Sequence, residues 1–501
     1  MLAGGDWITP RLNGIVHYDK PPLAYWTSAA GMRLFGVNET GARFGAGLAG
    51  AFLFWCATAI AKRLSRSGEG IMTPLLLASS ALVFGLTHLL ATDVFLAAAV
   101  AGFYLAWLTA DGRGRPWMFA ALGLGFLAKG PVVLVHTLLP LLVAALWKRD
   151  RRVLAPLGWV PGWALFAVLA VPWYVMVVSR TPGLFTWLLH NQLWLRYTTT
   201  VHQRPGPPWY FAAVLVAGAL PWTAAVLQGL WRSARAAGPG REAPGAERCP
   251  THVDAALVSW ALVPILFFSA SGSKLPAYIL PEFSVLAILA ARALAASPPF
   301  SRFGTAFLLA GLAAAIELAG PRALARAVGA EFAPSLPLPA LAHFAAILFA
   351  AGAIATAVRL PAVAALAACL AWYGVLGAVK GIEGSLGSPR AMAQILRQAR
   401  QPHEPIVEIG TFSAAIPFYL GRTVPLVDVP RGRIFDSPGT GGAPFMKAGA
   451  LPGLAQRQGR VWVVAAPGRG EHEAEALGLR YTVIARAKSR ELGIFEPRGF
   501  R

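Results

Sequence analysis

Apolar runs, most of them roughly 17 to 23 residues long, recur along this 501-residue chain and leave it few possible folds. Backbone groups in hydrocarbon must satisfy one another, so each run is predicted to be a spanning helix. The longer runs lie near 43–62, 72–90, 93–110, 157–178, 209–231, 253–270, 276–296, 303–320, 339–357 and 360–380. Two shorter runs, 116–128 and 131–147, are separated only by Lys129-Gly130-Pro131. That spacing predicts a tight hairpin with a lysine at its tip, giving about twelve spans in all. With 56% apolar and 13% charged residues, the composition is that of an all-α polytopic membrane protein.

Orientation follows from the basic loops. Lys62/Arg63/Arg66, Arg113/Arg115, Lys148/Arg149/Arg151/Arg152, Arg232/Arg235/Arg241/Arg248, Arg302 and Arg359 fall on alternate connections, which are therefore expected in the cytoplasm. The other loops, 1–42 and 179–208 among them, are then extracytoplasmic. A formal charge of +21 is accounted for by loops facing anionic lipid, and no nucleic-acid module is visible. Cys56, Cys249 and Cys369 form neither a disulfide framework nor a metal cluster. Residues 233–252, rich in Ala, Gly, Pro and Arg, read as a flexible cytoplasmic loop.

Beyond about residue 381 the apolar blocks shorten to strand length, at 406–409, 424–427, 461–464 and 481–484, with helical segments at 389–400 and 471–478. The chain thus divides into a transmembrane domain, 1–380, and a small extracytoplasmic α/β domain, 381–501.

Several polar residues stand at the outer ends of the apolar runs. His17-Tyr18-Asp19-Lys20-Pro21-Pro22-Leu23 places an acid and a cation in a rigid, non-helical entry to the first helix, because the prolines fix the backbone. Asp93 reads either as a helix N-terminal cap or as a functional acid. Lys129 reads either as a lysine snorkelling to the headgroups or as an anion contact. Lys274 lies in Ser271-Gly272-Ser273-Lys274-Leu275-Pro276-Ala277-Tyr278-Ile279-Leu280-Pro281, whose prolines predict a kinked start that aims Lys274 and Tyr278. The long loop 179–208 carries His190, Asn191, Gln192, Arg196, His202 and Arg204, and its tryptophans Trp187 and Trp194, with Trp209 beyond it, suit an interfacial helix. Arg196 with Lys20, Lys129 and Lys274 would make a cationic basin suited to a lipid phosphate or diphosphate. No cluster of His, Cys, Asp or Glu has metal-ligand spacing; no cofactor is indicated and a divalent metal stays open.

Asp6-Trp7-Ile8-Thr9-Pro10-Arg11-Leu12-Asn13-Gly14, Asp19-Lys20-Pro21-Pro22-Leu23, Phe35-Gly36-Val37-Asn38-Glu39, Ala91-Thr92-Asp93, Lys129-Gly130-Pro131, the His190–Tyr210 loop, Ser273–Pro281 and Pro417–Arg422 follow one another in order. Together they resemble the membrane-embedded aminoarabinose transferases and their relatives in the protein O-mannosyltransferase superfamily. The resemblance implies a GT-C-type fold in the cytoplasmic membrane and transfer of a sugar, on its outer face, from a polyprenyl-phosphate donor to a lipid, glycan or protein acceptor. It implies Lys20, Arg196, Lys129 and Lys274 as contacts to the donor phosphate and Asp93 as the group that orients or deprotonates the acceptor. Tyr278, His17, His190 and Asn191 are the candidates for the pocket lining.

Members of this superfamily usually carry a further span and an acidic loop ahead of the stretch that starts here at Leu2, so Met1 reads as an internal start. Two other classes fit a polytopic chain with charged helix ends: a transporter of lipid phosphates or sugars, and a noncatalytic lipid-phosphate-binding protein derived from the enzyme.

Overall fold

The computed structural model describes residues 1–2, 4–64, 69–109, 113–200, 204–238, 251–328, 338–381, 388–429, 437–439, 444–487 and 489–499. Arg66, His202, Arg241, Arg248, Cys249 and most of the expected 233–252 loop lie outside the described residues. The chain forms two units. The first comprises Met1–Ile8, Lys20–Glu317 and His343–Gly374; the second comprises Thr9–Asp19, Leu318–Ala342 and Val375–Arg501.

Apolar helices build the first unit. In chain order they are α1 (Leu23–Phe35), α2 (Glu39–Leu64), α3 (Glu69–Ser79), α4 (Ala81–Thr87), α5 (Thr92–Trp107), α6 (Arg115–Lys129), α7 (Val132–Lys148) and α8 (Val160–Arg180). Two short pieces, α9 (Leu184–Trp187) and α10 (Arg196–Thr198), flank a π-helical stretch, Leu188–Leu195. Then come α11 (Tyr210–Gly218), α12 (Thr223–Ala237), α13 (Thr251–Ser269), a 3-10 segment at Pro276–Glu282 running into α14 (Phe283–Ala295), α15 (Pro299–Val328), α16 (Leu338–Ala357) and α17 (Pro361–Gly381), of which 318–328, 338–342 and 375–381 fall in the second unit. Among the described residues six helices are long and apolar enough to cross a membrane, or eight when each of two bent pairs is counted as one span.

The bends depart from the expected straight runs. α3 and α4 meet at 72° and α11 and α12 at 114°. Each break frees backbone groups that lipid cannot satisfy. The two breaks satisfy each other: Ala81 N–H donates to Leu220 O at 3.0 Å, and the Trp222 indole donates to Ser79 Oγ at 2.8 Å. The expected hairpin forms as read. Gly130, at φ 76°, ends α6 directly after Lys129, and Pro131 precedes the first residue of α7.

The 3-10 segment follows from its prolines. Pro276 forces Leu275 to an extended conformation, φ −140° and ψ 141°. Pro281 cannot donate to the carbonyl four residues back, and Ile279 leaves helical geometry at φ −102° and ψ 15°. Regular α-helix resumes only at Phe283.

In the second unit, α18 (Pro389–Ala399), α19 (Ala415–Leu420), α20 (Leu451–Gln458) and α21 (Arg469–Leu477) accompany a six-stranded sheet. With β1 (Arg11–Leu12) and β2 (Ile15–Val16) counted first, its strands are β3 (Ile406–Ile409), β4 (Leu426–Val427), β5 (Phe445–Met446), β6 (Val461–Ala465), β7 (Leu479–Arg486) and β8 (Glu491–Pro497), in the order β5-β4-β3-β6-β8-β7. Strands β5, β4, β3 and β6 are parallel, and β8 and β7 antiparallel. Successive side chains face opposite ways, so Ile406, Trp462 and Val464 pack with Met392 and Leu396, while Val407, Ile409, Val461 and Val463 pack with Leu451 and Ala455. Both faces are buried, which is why β6 reads as a continuous apolar run and β3 as one broken only by Glu408.

β1 and β2 form a hairpin on the two-residue turn Asn13-Gly14, both at positive φ, 53° and 79°. Asn13 ties it to the rest of the unit. Its Nδ2 donates to Val424 O and its Oδ1 accepts from Val424 N–H, each at 2.8 Å.

Candidate functional site

Asp93 and Lys129 are brought together from the start of α5 and the end of α6. Lys129 Nζ donates to Asp93 Oδ1. The side chains are only 14% and 11% exposed, so the pair is shielded from water and its attraction is strong. Ala91, not Asp93, is the N-cap of α5 and no side-chain capping bond forms, while Asp93 stands in the first turn, where its charge favours the helix dipole. Snorkelling of Lys129 is overturned by the same contact: its ammonium turns inward to the carboxylate rather than out to headgroups. It also lies 5.1 Å from the centroid of the Tyr278 ring.

Tyr278 is placed by the proline-broken segment. Its ring stacks on Phe211 of α11, centroids 6.2 Å apart, and meets Phe268 of α13 at 5.4 Å. Four residues earlier, Lys274 is buried, and its ammonium donates to Ser271 O.

Tyr197 and Arg204, from the connection after α8, pack onto this stretch. Gly272 N–H donates to Tyr197 O at 2.6 Å, and Lys274 N–H donates to Arg204 O at 3.0 Å. Gly206 and Gly272 are glycines because of close approach. A Cβ on Gly206 would stand 2.9 Å from Lys274 Cδ, and one on Gly272 would stand 2.6 Å from Thr199 O. Arg196 heads α10 beside Tyr197; its Nε is buried without a hydrogen-bond partner among the described residues. Neither Arg196 nor Lys274 forms an ion pair with a carboxylate among the described residues. Lys274 is thus a buried cation and Arg196 a half-buried one, neither with an anionic partner among the described residues.

Lys20 is half-buried just ahead of Pro21 and Pro22. Three and four residues on, Leu23 and Ala24 pack on Phe95 and Ala128, next to Asp93 and Lys129 in sequence. The start of α1 is thereby packed against the helix ends that carry that pair. Asn191 is half-buried in the π-helical stretch and His190 is exposed there. His17 belongs to the second unit, where its N–H donates to Pro10 O at 2.9 Å. Trp194 and Trp209 are exposed as an interfacial segment requires, but Trp187 is buried in protein.

Two polar residues not singled out in the sequence lie behind Tyr278. His136 of α7 and Glu282, the last residue of the 3-10 segment, are fully buried, with Nδ1 and Oε1 2.6 Å apart. The available signal was one ionisable residue inside an otherwise apolar run.

Residues 19–176 match the family described as dolichyl-phosphate-mannose-protein mannosyltransferase. The undecaprenyl phosphate-alpha-4-amino-4-deoxy-L-arabinose arabinosyl transferase of Edwardsiella ictaluri is 32% identical over 310 residues, 58% of this chain and 52% of the relative. Its namesake in Yersinia enterocolitica is 30% identical over 313 residues, with the same shares. The chain spans about half the length of the curated relatives it matches. Among solved structures, ArnT from Cupriavidus metallidurans in the apo state superposes with a TM-score of 0.80 at 25% identity, covering 99% of this chain and 91% of that one. The same protein bound to undecaprenyl phosphate gives a TM-score of 0.80 at 24% identity and the same coverage.

Proposed function

We propose that the chain is a membrane glycosyltransferase of the superfamily that joins the aminoarabinose transferases to the protein O-mannosyltransferases, a reading supported by its similarity to both. Its donor is a sugar on a polyprenyl phosphate, of the class that the arabinosyl relatives' names print. One observation carries the reading: Lys274 and Arg196, cations without a carboxylate partner among the described residues, stand on two segments hydrogen-bonded to each other beside the Asp93–Lys129 pair's own contact, Tyr278.

Lys274 and Arg196 hold the donor phosphate, and Lys20 closes on it from the entry of α1. Preorganised cations in a water-poor site stabilise the charge that grows on the leaving phosphate. Acceptor oxygen attacks the anomeric carbon from the face opposite the phosphate. A new carbon–oxygen bond forms, the bond to phosphate oxygen breaks, and the lipid phosphate leaves with the electron pair; the anomeric configuration inverts. Asp93, oriented by Lys129, receives the proton of a hydroxyl acceptor, or only aligns an acceptor that is already an oxyanion. Lys129 thus contributes through Asp93 more than through the donor. Alternating basic loops support placing this end of the bundle, and the second unit, on the outer face of the cytoplasmic membrane.

Purified protein supplied with undecaprenyl-phosphate sugars and, in turn, lipid A, an envelope glycan and a secreted protein should transfer label to one acceptor class. Release of undecaprenyl phosphate without label on any acceptor, or no release at all, would refute the proposal.

A further inference from the structure

Glu282 and His136 are a buried pair for which the proposed reaction has no direct use. Both side chains are essentially without solvent exposure, and each keeps one buried polar atom, Glu282 Oε2 and His136 Nε2, without a hydrogen-bond partner among the described residues. Such atoms cost desolvation energy that a leucine and a phenylalanine in the same places would not. Four contacts tie the pair to the reacting end. Glu282 closes the segment that carries Tyr278; the His136 ring meets Phe268 at 5.4 Å; Phe268 meets Tyr278 at 5.4 Å; and Tyr278 faces Lys129 at 5.1 Å. From α5, the Tyr104 hydroxyl donates to the His136 and Thr137 carbonyls, each at 3.3 Å, so the histidine's own backbone is fixed.

The segment needs such an anchor. With Pro276 and Pro281 and a non-helical Ile279, it lacks the regular ladder of backbone hydrogen bonds that would hold Tyr278 in place. We propose that His136 and Glu282 are positioning residues: the hydrogen bond between α7 and the 3-10 segment fixes Tyr278 under Lys129 and thereby the Lys129–Asp93 pair. The kinetic part of this inference rests on the transferase reading; the structural part does not.

The test uses the full chain in detergent or nanodisc. Glu282→Leu removes the anchor at similar volume, Glu282→Gln keeps an acceptor for the histidine N–H, and His136→Phe keeps the ring contact without the bond. With an undecaprenyl-phosphate sugar, Glu282→Leu and His136→Phe should lower kcat per folded molecule by about tenfold to a hundredfold with the donor KM little changed, as expected when reacting groups are misplaced by about 1 Å. Glu282→Gln should recover most of the rate. Without any substrate, amide hydrogen exchange across 276–282 should speed up in the first two variants and stay at the wild-type rate in the third. Wild-type kcat in both disruptive variants, or unchanged exchange in that segment, overturns the proposal. Should Glu282→Leu fail to fold, His136→Phe decides alone. A wild-type chain that transfers nothing removes the transferase reading and leaves the exchange result to decide this one.

Discussion

Lys129 donates to Asp93 across the facing ends of α6 and α5, 36 residues apart in the chain, and the same ammonium lies over the ring of Tyr278. Replacing either partner leaves the other charged and poorly solvated, so the two should couple. Asp93→Asn is expected to lower transfer by roughly 10²- to 10⁴-fold. Lys129→Met should cost less than that alone and add little on top of it. Independent, multiplicative losses in the double variant would show that the pair does not act as a unit.

Close approach at Gly272 holds Thr199 against the turn that leads to Lys274. A methyl group there would stand 2.6 Å from a backbone oxygen that cannot move away alone. Gly272→Ala should destabilise the protein by about 1–3 kcal/mol and weaken binding of undecaprenyl phosphate, whereas Gly311→Ala, inside α15 with nothing within 4 Å, should leave binding unchanged and stability unchanged or raised by up to about 1 kcal/mol. Thermal denaturation and lipid binding of the two variants make the comparison; equal behaviour would count against the packing described.

Much of this is legible in the sequence. Each spanning run is self-contained, and Lys129-Gly130-Pro131 carries a helix end, a turn and a helix start in three residues. The strands β3 and β6 announced themselves because both their faces are buried. Pairing was not legible. Nothing local tells Lys129 to choose Asp93, or His136 to choose Glu282 at a separation of 146 residues. The bends of α3–α4 and α11–α12 are not legible in either run alone, because each is stabilised by the other. The short strands β4 and β5 hold two residues each, too few to show a period. Asn13-Gly14 did carry a signal, that of a two-residue hairpin turn, but its strands are equally short.

That turn gives a direct test of the second unit. Asn13→Ala removes both hydrogen bonds to Val424, leaves a buried N–H and C=O unsatisfied, and puts alanine at φ 53°. A loss of about 2 kcal/mol or more is expected, seen as roughly 30-fold faster exchange of the Val424 amide. Unchanged protection would mean that the hairpin is not held there.

Glu408 should give the same unit a pH dependence. Burial pushes its carboxyl up from 4.5 to about 8, against the pull of the Ser413 N–H and Arg490. The folded unit therefore holds a proton that the unfolded chain releases above pH 4.5. Stability falls as pH rises from there through about 8, and is lowest above it. Exchange of the β3 amides should slow on going from pH 8.5 to pH 5.5 by more than the intrinsic chemistry accounts for, and Glu408→Gln should flatten that excess. An excess of the same size in the glutamine variant would assign it to another group.

The central claim is that Lys274 and Arg196 form the seat of a lipid phosphate, and the affinity of the purified protein for undecaprenyl phosphate tests it most directly. Lys274→Met and Arg196→Gln should each weaken binding by about tenfold or more, the usual scale for losing a charge-assisted hydrogen bond, with the helical fold retained. Wild-type affinity in both variants would contradict it.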